Sequence, residues 1–186
     1  METAALILLI AAFGAEAAAP CAEGVSGEDY GVFETPALRW IIGNNAAMGG
    51  HALRYNGVFS VAEKRGDFSP FVESYAGLNL EHYFDGRPRP ADSAVFFEPR
   101  NAPMTFTRID ANTAELHQPP TPAYGVESWS RFEVNSPYYI DLRFRCIPHK
   151  EVFQGGFFGV FWASYINGPE DKSIYFLREG STLDAP

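Results

Sequence analysis

Residues 124–134 (YGVESWSRFEV) and 138–148 (YYIDLRFRCIP) read as two β-strands joined through Asn135-Ser136-Pro137. Successive side chains on a strand point to opposite faces. In the first segment Val126, Ser128, Ser130, Phe132 and Val134 therefore share one face, and Glu127, Trp129, Arg131 and Glu133 the other. In the second, Tyr138, Ile140, Leu142, Phe144 and Cys146 oppose Tyr139, Asp141, Arg143 and Arg145. Each strand has one apolar face and one charged, aromatic face, the pattern of an antiparallel sheet with a core on one side.

Similar pieces recur at 37–42, 51–62, 78–84, 94–98, 104–109, 113–117, 157–165 and 173–177, each short and rich in aromatic or β-branched residues. Asn56-Gly57, Asp85-Gly86, Asp110-Ala111-Asn112 and Asn167-Gly168 supply turns between them, and 88–90 and 118–122 are proline connectors that no central strand tolerates. The segment 157–166 (FFGVFWASYI) is apolar on both faces and is expected to be a central strand. No sustained 3.6-residue apolar stripe occurs outside the first residues. Many short strands with frequent turns predict an all-β fold, an antiparallel β-sandwich or barrel.

The 186 residues suit one domain with a sizeable core. A formal charge of −9 removes the electrostatic basis for holding a phosphate backbone, so nucleic acid is not an expected partner. Residues 4–13 (AALILLIAAF) have the length of a signal-peptide core, and Ala15 and Ala17 give a small-residue cleavage pattern. The expected organisation is a helical signal peptide over 1–17, an irregular lead-in over 18–36 and a β-sandwich domain over 37–186. A secreted or periplasmic location follows, with no integral membrane span. Pro20 ahead of Cys21 makes a poor lipid-attachment box. An oxidising compartment permits a bridge between Cys21 and Cys146, although Cys146, on an apolar strand face, reads as a buried thiol. Neither cysteine lies in a metal-binding pattern, and no metal or cofactor is expected.

Two clusters can carry chemistry. Residues 78–86 (LNLEHYFDG) bring together Glu81 and His82, a carboxylate and an imidazole suited to acid–base work. Strict alternation sends these two side chains to opposite faces. The second cluster is the charged face of Glu127, Trp129 and Arg131 beside Tyr139, Asp141 and Arg143. An aromatic platform rimmed by carboxylates and guanidinium groups suits a sugar, with its apolar ring face and its hydroxyls. The same residues can equally form a cross-strand ladder of opposite charges. Trp162 and Tyr165 read as core aromatics, and His117 and His149 as loop-end ligands or bases. No GxSxG, phosphate-loop or dinucleotide motif occurs.

The strings GLNLEHYFDG, FFEPRNAPMTF, AELHQPPTP, ESWSRFEV and GVFWASYINGPEDKSIYFL resemble those of an uncharacterised group of secreted bacterial β-sandwich proteins, over residues 78–177. More loosely, the succession of hairpins resembles the N-terminal half of a galactose-mutarotase-like domain, which implies a β-sandwich of supersandwich type. That likeness implies carbohydrate chemistry and further strands beyond Pro186, but the His and Glu motifs of aldose mutarotases have no matching positions here. The function expected is recognition of carbohydrate by an exported sandwich through its charged, aromatic face. The alternatives are a sugar-modifying enzyme of mutarotase or lyase type, with Glu81, His82 or Glu127 as catalytic groups, and a structural cell-envelope protein without catalysis.

Overall fold

The computed structural model describes residues 28–46, 51–66, 68–88, 90–154, 156–171 and 173, together with the backbone of Ala5–Ile7 and Val25–Ser26. Its strands are β1 (Ala5–Ile7), β2 (Val25–Ser26), β3 (Tyr30–Glu34), β4 (Leu38–Gly43), β5 (Gly57–Glu63), β6 (Asn79–Phe84), β7 (Thr105–Arg108), β8 (Thr113–Gln118), β9 (Val126–Asn135), β10 (Tyr139–Pro148) and β11 (Gly159–Ser164). They form three antiparallel sheets, ordered β10-β9-β8-β7-β2, β3-β4-β5 and β1-β11-β6. The protein is all-β, as its turn-punctuated sequence predicts.

The five-stranded sheet is built on the β9–β10 hairpin, which pairs in unbroken register from Tyr139 opposite Asn135 to Pro148 opposite Val126. Along β9 every second residue from Val126 to Val134 is buried, and the residues between are half-buried. This one-sided burial pins the register, because a slip of one residue would turn Phe132 and Val134 out and bring Arg131 and Glu133 in. The other two sheets form the facing layer. Val58, the second residue of β5, bridges Leu78, just ahead of β6, so β3-β4-β5 runs on into β6-β11-β1.

One core fills the space between the layers. It takes Phe106, Leu116, Phe132 and Val134 from the larger sheet, and Phe33, Trp40, Ile42, Val58, Leu80, Tyr83 and Trp162 from the others. β11 is the central strand of its sheet, as its two apolar faces predict.

Several local expectations change. The segment 94–98 is not a strand but carries two single-turn helices, α1 (Ser93–Phe96) and α2 (Glu98–Asn101). Asp92 caps the first by accepting from the backbone N–H of Ala94 at 2.8 Å, and proline opens the second, where its missing N–H costs nothing. The apolar run Val95-Phe96-Phe97 is too short for periodicity to separate helix from strand. The lead-in contains β3, in which Gly31 and Phe33 are buried, and His51 to Asn56 form a turn ahead of β5. Ala5–Ile7, read as part of a helical leader, runs as a strand along β11. The rest of the leader, Cys21 and nearly all of the expected strand at 173–177 lie outside the described residues. Among the described residues no helix is long and apolar enough to cross a membrane. Cys146 is a free thiol, pushed up to about 11 by burial.

Candidate functional site

The outer face of β8, β9 and β10 carries the charged cluster. Register places His117 and Arg145 on either side of Trp129, and Glu115 and Arg143 on either side of Arg131. The His117 ring stacks on Trp129 with centroids 5.1 Å apart, and the Arg145 guanidinium lies 4.9 Å from the indole centroid. Because these neighbours come from opposite sides of β9, both indole faces are covered. Glu127 accepts from His117 Nε2 at 2.9 Å and from His149 Nε2 at 2.8 Å. The His117 bond, with the His149 bond behind it, holds this carboxyl below the usual range. Arg131 reaches Glu115 at 3.1 Å through both Nε and Nη2, and Asp141 accepts from Asn135 at 2.7 Å. Tyr139 is 65% exposed, and Arg143 is exposed beside Arg131. Around Glu127, Trp129 and Arg131 the face is a ladder closed by its own pairs.

Glu81 and His82 do meet. Pairing with β11 slips between Phe161 and Trp162, so that Phe161 faces His82, Trp162 faces Leu80, and Glu81 is the extra residue of a β-bulge. A bulge re-aims a side chain and breaks alternation. Leu80 and Tyr83, three positions apart, both enter the core, while His82 Nε2 comes within 3.2 Å of Glu81 Oε1. Glu81 Oε2 accepts from Tyr165 Oη at 2.7 Å and Asn79 Nδ2 at 2.9 Å, with Arg100 Nη1 at 3.7 Å. Burial acts to raise this carboxyl, but the bonds from His82 and Tyr165 and the charge of Arg100 outweigh it and hold the group low. Burial, then the Glu81 carboxylate, raise the Tyr165 phenol. With its oxygens occupied and 6% of its surface exposed, Glu81 is closed to a substrate. Glu127 stands on the other layer, so the three catalytic candidates do not share a cleft.

An open cleft of about 660 Å³ lies instead against β3, β4 and β5, covered by the loop 68–75. Tyr30, Phe59, Phe68, Phe71, Tyr75 and His51 supply its rings, and Ser60, Ser69, Ser74, Glu73 and Asn167 its polar rim. Phe68 is 70% and Tyr30 44% exposed. Three of the rings sit where glycines leave room, Phe59 over Gly43, Phe71 over Gly77 and Phe68 over Gly168. Backbone bonds tie the covering loop down: Val72 N–H to Tyr165 O, Asn167 N–H to Pro70 O, and Ala52 N–H to Ser74 O. Ser74 takes a left-handed φ of 70°, which few non-glycine residues adopt. Burial lowers His51, whose Nε2 donates to Tyr55 O at 3.3 Å, leaving Nδ1 as an acceptor.

Period-two alternation puts Glu127, Trp129 and Arg131 on one face, as the alternating burial of β9 shows, but does not point to this cleft. Its rings come from 30, 51, 59, 68, 71 and 75, with no common spacing. Alternation also leaves out His117 and His149 as partners of Glu127, although the register of β8 with β9 gives the first. No family model matches the chain, and no curated protein or solved structure matches it.

Proposed function

We propose that the protein is an exported carbohydrate-binding module whose binding site is the aromatic cleft against β3, β4 and β5. One observation carries this reading: rings from separated segments converge on an open cleft with a hydroxyl, amide and carboxylate rim, and two of them are exposed at its mouth. A sugar offers aromatic faces its apolar ring and offers a polar rim its hydroxyls. A cleft of about 660 Å³ is within the range of small-molecule sites and has room for more than one sugar ring. Apolar rings exposed together in a groove with a polar rim mark a binding surface. The charged face around Trp129 offers less, since its groups already bind one another. Export rests on the apolar run at 4–13.

A glycan array followed by calorimetric titration tests the reading. Neutral oligosaccharides are expected to be retained, and Phe68→Ala to weaken them about tenfold, the loss of one aromatic contact. Phe68 is exposed, so the variant folds. An array without hits, or affinity unchanged in Phe68→Ala, removes the proposal.

A further inference from the structure

A second cavity, of about 430 Å³, is lined by Arg54, Ser93, Phe97, Arg100 and Asn101. We propose that it is a subsite for the carboxylate of a uronic acid, so that the glycan bound by this protein is acidic. The inference deepens the carbohydrate reading and rests on it.

Arg54 has a left-handed φ of 80°, unfavourable for a residue with a side chain and sustained only where surrounding contacts enforce it. Here the enforcing contacts are its own N–H to Asn45 O at 2.9 Å and its carbonyl, which accepts from Arg100 Nε at 3.1 Å. The Arg54 guanidinium is exposed and pairs with no acid among the described residues. Arg100 is fixed over the Tyr55 ring at 4.1 Å and over Phe97 at 4.9 Å. Its one acidic partner among the described residues, Glu81, lies at 3.7 Å and is shared with His82. His82 Nδ1 faces Phe96 O and Nε2 faces Glu81. Around the cavity two guanidiniums thus stand against one shared carboxylate.

Asn101 closes the cavity wall, its Nδ2 donating to Ala94 O at 3.2 Å. The groups left for a ligand are the two guanidiniums, whose forks suit a carboxylate, and on a sugar that carboxylate makes a uronic acid. Ring contacts link this cavity to the aromatic cleft: Tyr75 lines the cleft and stacks on Tyr55 at 4.6 Å, and Tyr55 carries Arg100. The charge of −9 repels an acidic ligand at range, but salt screens it beyond roughly 8 Å, whereas guanidinium and carboxylate act in contact.

The test is calorimetric titration of the full chain with a galacturonic acid trisaccharide, its carboxyl-reduced neutral counterpart and a sulfated neutral trisaccharide. Arg54→Asn removes the charge while tolerating the left-handed backbone, and Arg54→Lys retains a charge. The uronate is expected to bind at least tenfold tighter than the neutral sugar. Arg54→Asn should erase that preference without touching neutral binding, and Arg54→Lys should keep part of it. Equal affinity for uronate and neutral sugar, uronate binding unchanged in Arg54→Asn, or sulfated sugar bound as tightly as uronate overturns the inference while the cleft stands. Uronate binding lost in Arg54→Asn but unchanged in Phe68→Ala sinks the cleft and keeps this subsite. Binding of none of the sugars sinks both.

Discussion

The Phe71 ring occupies the space that a side chain at Gly77 would need. Phe71 forms a backbone bridge to Ile166, and the ring is left to lie across the glycine and face the cleft. Gly77→Ala forces one of them to move. Forcing an extra carbon into a packed site costs about 1–3 kcal/mol. The expected outcome is a lower urea midpoint together with weaker sugar binding, because the displaced ring no longer lines the cleft. Retained stability and affinity would show that the ring has room elsewhere.

Trp129 separates the two surfaces on which sugar recognition can be placed. Its stack on His117 and its contact with Arg145 together stabilise the sheet by about 1–2 kcal/mol. Trp129→Ala should lower the unfolding free energy by that amount in denaturant melts and leave sugar affinity unchanged. A loss of affinity without loss of stability would return the site to the charged face.

The contrast between these surfaces shows what period-two reading can reach. From Val126 to Arg145 one face is turned inward, buried along β9 and partly buried along β10, so alternation in the sequence is alternation in space, and every partner across β9 follows from the register. Alternation fails at Glu81 because one inserted residue turns it toward His82, and nothing in LNLEHYF marks the insertion. β3 was legible in its alternating Gly31 and Phe33 but was masked by its acidic, glycine-containing surroundings. The cleft is a long-range product: its rings are placed by loop anchors and by glycines distant in sequence, such as Gly43 beneath Phe59 and Gly168 beneath Phe68.

Glu127, bound by two imidazoles, stands at the sheet surface with 20% of its side chain exposed. Ion pairs in such places are worth about 0.2–1 kcal/mol and weaken with salt. Glu127→Gln should therefore shift stability by no more than that at low salt, and by less in molar salt, as read from thermal melts at the two ionic strengths. A larger, salt-insensitive loss would mean that the carboxylate anchors the β8–β9 edge more firmly than its exposure implies.

Glu81 should behave in the opposite way. Glu81→Gln keeps the shape and removes the charge that Tyr165, His82 and Arg100 address, so it should cost roughly 1.5–3 kcal/mol at neutral pH, the range for hydrogen bonds to charged groups. The folded carboxyl is held below its unfolded value, near 4.3 for glutamate. Its stabilisation is therefore complete above that value and is lost as acid carries the pH down through the folded one, because the unfolded chain takes the proton first. Urea melts at successive pH values from neutral to about 3 should show a constant gap between wild type and Glu81→Gln that narrows only below about 4. A gap that persists or widens in acid would mean that burial, not the surrounding donors, governs this carboxyl.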